Sequence, residues 1–321
     1  MSTVRGPTLK LSNGVEMPAV GLGTWLSAPG EAKVAVKTAV KCGYRLIDTA
    51  SVHKNEEDIG EAIKELIAEG IIKREELFVT TKAWAHEFLP GKLETSLRAS
   101  LKRLGLEYVD LYLAHVPTAF NDDMSVALND ISVEVIWKEF DQVYKLGLAK
   151  SVGVSNWNND QIERVLKLGL TPVHNSQVEL HLYFPQHVHD AFCKKHGIVI
   201  TSYATLGSPG RVNHRLPNGE SLNWQADAPS DLTDGIVGAL ANKYNKTPAQ
   251  ILLRYALDRG FAIIPKSSNA FRIKENFKLF DFKLTDDDLT NLQTTHHNRR
   301  LFLQDFMDGH REDSFFEVRR G

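Results

Sequence analysis

Alternation constrains this chain more than any other feature. Strand-like runs begin near Val20, Arg45, Phe78, Val109, Ser151, Asn175, Val199 and Ala262. Most are followed by a stretch with apolar residues three and four apart. These stretches are Glu31 to Cys42, Glu56 to Ala68, Lys92 to Leu104, Val133 to Leu146, Gln161 to Leu168, Pro185 to Lys195 and Ala270 to Leu279. Strands alternating with helices argue for an α/β fold with a parallel sheet. A count near eight, with no linker or composition break, favours a closed (β/α)8 TIM barrel over an open sheet, as one domain over residues 1–321.

Glycines punctuate the repeat. Gly43, Gly70, Gly105, Gly147, Gly169 and Gly197 stand where a left-handed helix cap is expected. Ser12-Asn13-Gly14 between two short apolar runs reads as an N-terminal β-hairpin. Gly21-Leu22-Gly23-Thr24-Trp25 lacks the third glycine and the acidic residue of a Rossmann phosphate turn, which counts against that site. Three segments break the period: Thr118 to Ser132, Gly207 to Ser230, and the tail from His296 to Gly321. Two extra helices, Leu232 to Tyr244 and Thr285 to Thr294, also fall outside it. Long segments at the C-terminal face of a barrel usually shape the substrate pocket or a lid. The tail carries Phe315 and Phe316, which a purely solvated tail rarely needs.

Composition narrows the class. A net charge of -2 gives no sign of a nucleic-acid or anionic-membrane partner. The N-terminus has no secretory apolar run, and no stretch is long enough to span a bilayer. The two cysteines, Cys42 and Cys193, lie inside expected helices and read as buried thiols of a reducing compartment. The expectation is a cytoplasmic, enzyme-sized domain. His174, His181, His187 and His189 lack convergent spacing, so no metal site is expected.

Polar residues collect where strands end. Asp48 follows the second strand, Lys82 the third and His115 the fourth, and such ends converge on a barrel axis. Any one of these residues has an ordinary structural reading. The three together, with the words Asp48-Thr49-Ala50 and Asn55-Glu56, resemble the aldo-keto reductases, NADPH-dependent carbonyl reductases on this barrel. The resemblance covers nearly the whole chain, to about Asp305. It implies that Lys82 pairs with Asp48, that His115 orients the carbonyl and donates to its oxygen, and that NADPH supplies the hydride.

The chain departs from that family at one position. The family's proton-donating Tyr is His53 here. An imidazole reaches less far than a phenol, and a misplacement of ~1 Å can cost ~100-fold in rate. Lys82 would also disfavour the imidazolium. Three readings stay open: a relay through water, a structural His53 with His115 as the only donor, and a loss of function, natural or introduced.

The resemblance places NADP(H) on a second set of residues. Ser155, Asn156 and Gln177 would hold the carboxamide, and Tyr203 would stack on the nicotinamide. Gly23, Thr24, Trp25 and Asp48 line that end, and Leu206-Gly207-Ser208-Pro209 resembles the loop over the pyrophosphate. Lys266, Ser267, Ser268, Arg272, Glu275 and Asn276 resemble the adenosine site. Lys266 and Arg272 would meet a 2′-phosphate, and the N–H groups of the helix starting near Asn269 would add to them. Trp25, Trp84, His115, Val116 and Phe120 fall where the family lines its substrate pocket, with Val116 in place of the usual Trp. The implied function is reduction of small aldehydes or ketones, and the resemblance implies a monomer. The alternative is an NADP(H)-binding barrel with little turnover and a sensing, regulatory or structural role.

Overall fold

The barrel forms from strands much shorter than the helices between them. The structure is a computed structural model and describes residues 6–213, 224, 227–294 and 298–315. Two strands, β1 (Thr8–Lys10) and β2 (Glu16–Pro18), make an antiparallel hairpin. Eight more run parallel: β3 (Leu22–Gly23), β4 (Leu46–Asp48), β5 (Phe78–Ala83), β6 (Leu111–Ala114), β7 (Val152–Ser155), β8 (Asn175–Glu179), β9 (Val199–Tyr203) and β10 (Ala262–Ile263). They are hydrogen-bonded in sequence order. Val20 bridges Ile263 and Gly23 bridges Lys266 in parallel, which joins the first strand to the last and closes the ring. The two glycines of the β3 segment serve this closure. A Cβ on Gly21 would lie 2.4 Å from Leu46, and one on Gly23 would lie 2.6 Å from the Ile264 carbonyl.

Seven helices follow the expected spacing: α1 (Glu31–Cys42), α2 (Glu56–Ala68), α3 (Leu93–Leu104), α4 (Val133–Lys145), α5 (Asn159–Leu166), α6 (His187–His196) and α9 (Ala270–Asn276). Local chemistry accounts for two shifted starts. Asn158 caps α5 by accepting from Gln161 N, so that helix begins two residues before Gln161. Gln186 sits at φ 55, so α6 cannot start at Pro185. The periodicity also missed α8 (Pro248–Asp258), whose Thr247–Gln250 capping box with Pro at its first turn was a readable signal. The two extra helices are α7 (Gly235–Tyr244) and α10 (Asp286–Gln293). They share an apolar cluster with α8 that includes Val237, Leu240, Ile251 and Leu292. All six glycines expected to cap helices take positive φ.

The main core lies between strands and helices and includes Val36, Ile59, Leu97, Trp137 and Phe140. The lower barrel is filled from within. Leu46, Phe78, Leu111 and Leu113 meet Leu11 and Met17 of the hairpin. Each such buried side chain contributes about 1.5–3 kcal/mol, which offsets the ordering of a two-stranded hairpin that would be marginal alone. Gly14 closes the hairpin at φ 87, with Gly14 N donating to Leu11 O. The N-terminal end is therefore plugged with apolar groups, and the polar strand ends face the other way.

The C-terminal tail packs on the barrel as far as it is described. Phe315 is buried, Ser314 Oγ donates to Asn156 O at 2.7 Å, and Ala119 N donates to His310 Nε2 at 3.3 Å. Phe316 and half of the segment from Gly207 to Ser230 lie outside the described residues. Cys193 is buried as expected, whereas Cys42 is only half-buried because it ends α1 at the surface. No helix among the described residues is long and apolar enough to cross a membrane.

Candidate active site

The turn from Asp48 to Glu56 is fastened at several points. Thr49 Oγ1 donates to Asn55 Oδ1 at 2.9 Å, and Asn55 Nδ2 donates to Thr24 O at 2.8 Å. Glu56 is buried, accepts from Thr81 Oγ1 at 2.6 Å and pairs with Arg103 at 2.7 Å. Ser51 Oγ donates to Glu87 Oε2 at 2.7 Å. Between these anchors lies a single 3₁₀ turn, Ser51–His53, which ends on His53. Asn55 and Glu56 thus hold the loop that presents residue 53.

Asp48 and Lys82 meet as expected from adjacent strands. Lys82 Nζ donates to Asp48 Oδ1 at 2.5 Å and to Thr49 O at 2.9 Å. Gln177 Nε2 donates to Asp48 Oδ2 at 2.7 Å from across the barrel. Lys82 is 2% exposed and Asp48 3%, so the pair is desolvated. Burial lowers the Lys82 pKa from its ordinary value, against the pull of Asp48 toward the charged form. Two of the three ammonium protons have protein acceptors.

His53 and His115 stand together beside this pair. Their ring centroids are 5.7 Å apart at 75°. Burial pushes both pKa values well below 6.5, and the Lys82 charge lowers them further. Both rings are therefore neutral at neutral pH. Nδ1 of each is covered and has no hydrogen-bond partner among the described residues. Trp84 packs edge-on against His115, with centroids 4.9 Å apart.

Two aromatic groups flank this centre. Trp84 and Phe120 both face Phe306, at 5.3 and 6.0 Å. Trp25 packs with Trp224 and Phe302, each at 5.8 Å, and Tyr203 is 5.7 Å from Phe302. The sequence reading missed Phe302, Phe306 and Trp224. Their signal was aromatic side chains in segments outside the strand–helix period. Val116 and Phe120 are both buried within the main core cluster.

The amides expected at a carboxamide are close together. Asn156, held at φ 62, donates from Nδ2 to His115 O at 2.9 Å and to Ser155 Oγ at 3.2 Å. Its Oδ1 accepts from Tyr203 OH at 2.8 Å. Ser155 and Gln177 are buried alongside, and Thr24 Oγ1 donates to Asp48 O at 2.9 Å. Gly23 packs against Ile264 beside them. Leu206 and Ser208 are half-buried, with Ser208 at φ 42.

The far end is more open. Lys266 is exposed and reaches across to Leu26 O at 3.2 Å. Arg272 and Ser268 are exposed, and Ser267 and Asn276 are buried. Among the described residues Arg272 has no ion-pair partner, and exposure without a partner suits an incoming anion. Thr247 Oγ1 donates to Glu275 Oε1 at 2.5 Å, tying α9 to α8. One expectation needs correction. The second and third N–H groups of α9, at Phe271 and Arg272, already donate to Asn269 Oδ1, so those two are not free for a phosphate. Among the described residues no three His, Cys, Asp or Glu side chains gather as a metal set. Glu179, His181 and Asp231 form a buried charged cluster that the sequence reading did not foresee.

The aldo/keto reductase family model matches residues 19–296, so the chain belongs to the aldo/keto reductase family. It is 39% identical over 306 residues to aldo-keto reductase family 1 member A1-A of Danio rerio, covering 92% of this chain and 91% of that protein. It is 41% identical over 318 residues to the prostaglandin-E(2) 9-reductase of Oryctolagus cuniculus, covering 94% of each. The structure of the Bombyx mori aldo-keto reductase in complex with NADP superposes with a TM-score of 0.88 at 36% identity, covering 97% of this chain and 100% of the other. The expected barrel is thereby borne out.

Proposed function

We propose that the chain reduces aldehydes or ketones to alcohols with NADPH, slowly for simple aldehydes because His53 stands at the donor position. The observation that carries this reading is the buried Lys82–Asp48 pair beside two neutral imidazoles. NADPH supplies the hydride when bound. Ser155, Asn156 and Gln177 would hold its carboxamide, in exchange for one of the bonds Asn156 makes internally. Tyr203 would flank the ring, and Lys266 and Arg272 would take the 2′-phosphate.

The proton side follows from the same geometry. A carbonyl oxygen gathers negative charge as hydride arrives, and donors fixed in a dry site stabilise it. Lys82 keeps one ammonium proton without a protein acceptor and holds positive charge there. His115 is the neutral donor we assign to the carbonyl. His53 is too short to take a phenol's place directly, so it relays through water or only packs. A neutral imidazole N–H is a far weaker acid than a phenol.

A second reading has its own support. An NADP(H)-binding barrel with almost no turnover needs the cofactor residues and not the donor, and the unpartnered Nδ1 of His53 fits that loss. NADPH oxidation with a panel of aldehydes, by the chain and by His53→Tyr, separates the two. Measurable turnover in the unaltered chain supports the reductase. Tight NADPH binding with no turnover on any substrate supports the binder. Charge reversal at Arg272 tests the cofactor assignment. Charge-assisted hydrogen bonds are worth ~1.5–3 kcal/mol, so Arg272→Glu should weaken NADPH by about 10- to 100-fold and NADH little. Equal loss for both cofactors in fluorescence titrations would move the phosphate elsewhere.

A further inference from the structure

A cavity of about 390 Å³ lies between the segments that follow β7 and β8. Residues 156–160 form one wall, and the start of α6 forms another through Val188 and His189. Arg300 and Phe315, from the C-terminal segment, line a third side. Of the residues read as catalytic or cofactor-binding, Asn156 alone borders it among the described residues. The cavity is therefore separate from the reaction centre.

Its polar lining is short of acceptors. Among the described residues that line it, Arg300 is the one cation and Asp160 the one carboxylate. His189 stays neutral, because burial and then the Arg300 charge lower its pKa to about 4. Its ring nitrogens are already taken, Nδ1 by Asn159 Oδ1 at 2.6 Å and Nε2 by Ser176 Oγ at 2.9 Å. The guanidinium carbon of Arg300 lies 4.4 Å from the Phe184 ring centroid and 4.3 Å from that of Phe315. Ring faces hold a guanidinium by its own face and leave the N–H groups of its edge to find acceptors. Arg300 Nε is covered and has no acceptor among the described residues, and Arg300 has no ion-pair partner among them. Trp157 is 2% exposed, and its Nε1 also lacks an acceptor among the described residues. Buried donors are nearly always paired, so two orphans beside one cavity mark an absent acceptor. The helix dipole adds to the same sign. α6 starts at this wall with no side-chain cap from Gln186. Asp190 in its first turn is engaged by Lys194 at 2.9 Å and by Arg259 at 3.5 Å.

We propose that this cavity binds a small organic carboxylate, a monoanion whose oxygens meet the edge of Arg300 and whose apolar body lies against Val178, Phe315 and Val188. A planar carboxylate matches a guanidinium edge with two parallel hydrogen bonds. Val178 and Phe315 are buried and give an apolar wall, and Val188, 78% exposed, gives an apolar rim. Asp160 is exposed beside them, and its charge opposes a dianion more than a monoanion. The volume lies near the lower end of the roughly 300–1,000 Å³ usual for small-ligand sites, which suits a molecule of benzoate's size.

The test is calorimetric titration of the full chain, without cofactor and at neutral pH, with benzoate. Benzyl alcohol keeps the body and drops the charge, and inorganic phosphate keeps a charge and drops the body. Benzoate should saturate with a Kd of about 1 mM or tighter, and both comparators should bind about tenfold more weakly or worse. Arg300→Gln should weaken benzoate about tenfold or more. Asp160→Asn removes the opposing charge and should tighten it about two- to fivefold. His115→Gln should leave it unchanged. Should Arg300→Gln fail to fold, Val188→Glu decides, since it alters only an exposed side chain and puts a carboxylate on the rim. Benzoate should then bind about two- to fivefold more weakly. No saturable binding up to ~10 mM overturns the proposal. So does phosphate binding more tightly than benzoate, or an affinity that neither Arg300→Gln nor Val188→Glu changes. Binding that survives Arg300→Gln and is lost with His115→Gln places the carboxylate in the reaction centre and overturns it too.

Discussion

Both oxygens of Asp48 and two of the three ammonium protons of Lys82 are engaged, whereas His53 and His115 beside them each keep a covered ring nitrogen without a partner among the described residues. Both carboxylate oxygens of Asp48 accept hydrogen bonds, one from Lys82 and one from Gln177. Lys82 and Asp48 come from β5 and β4, and Gln177 from β8, so closing the barrel fixes all three. The histidines sit just past strand ends, one on a 3₁₀ turn, where the backbone fixes their place but supplies no acceptor for Nδ1. The part of the site that holds charge is built into the sheet. The part that would move a proton hangs on its edge. A residue of the second kind can change without disturbing the first, and His53 is in that position.

The largest effect should come from breaking the engaged pair. Lys82→Met leaves the Asp48 carboxylate buried with only Gln177 to satisfy it. Removing one partner of a buried ion pair costs about 3–5 kcal/mol, readable in urea unfolding. Any reductase activity should fall by about 10²–10³ as well, since a fixed donor to the oxyanion is gone. A variant as stable as the parent would mean that Asp48 is protonated or solvated, and the contrast with the histidines would collapse.

The histidine side should respond in the opposite direction. His53→Tyr restores the phenol that the family places there, with Lys82 still able to favour its ionisation. If proton delivery limits the rate, kcat rises about 10²-fold, with stability little changed. His115→Gln then sharpens the comparison. It should abolish activity in the unaltered chain if His115 is the sole donor. Combined with His53→Tyr, it should raise KM more than it lowers kcat. An unchanged kcat in His53→Tyr, with NADPH bound, would show that the pocket selects another substrate class or that His53 already works.

These outcomes separate what sequence could and could not disclose. The barrel was readable because each helix must bury one face on the sheet, which fixes the apolar spacing in stretches such as Glu31 to Cys42. The strands were readable in place but not in length, since β3 and β10 are two residues each and closure depends on bridges beyond them. The meeting of Asp48 with Lys82 came from resemblance, because 34 residues separate them and only the tertiary fold brings them together. The Glu179–His181–Asp231 cluster had no such guide. Asp231 is far along the chain from His181, and nothing local marks it as a partner. Asn269, by contrast, was readable as a helix cap, and taking it so would have removed two of the N–H groups expected at α9.

The smallest expected effect is in the pH response, and it tests whether the two histidines are neutral. Their folded pKa values lie well below 6.5, held down first by burial and then by Lys82. Below ~6.5 the unfolded chain takes up protons that these folded rings refuse. Their contribution to stability is therefore complete above ~6.5 and shrinks as pH falls toward the folded values, by at most ~1.4 kcal/mol per unit for each ring. His174 and His310, also lowered by burial, add to the same acid limb, so the total slope assigns nothing by itself. The difference between the chain and His53→Phe does. That variant should lose close to one proton from the acid limb of urea midpoints measured between pH 5 and 7. Turnover over the same range should stay level, because neither ring becomes an acid by charging. A rate that climbs as pH falls through ~6.5 would mean that one of the two rings carries a proton there. If the climb vanishes in His53→Phe, that ring is His53 and burial does not keep it neutral. If the climb persists, the proton belongs to His115, and the charge of Lys82 is weaker at the strand end than its distance from solvent implies.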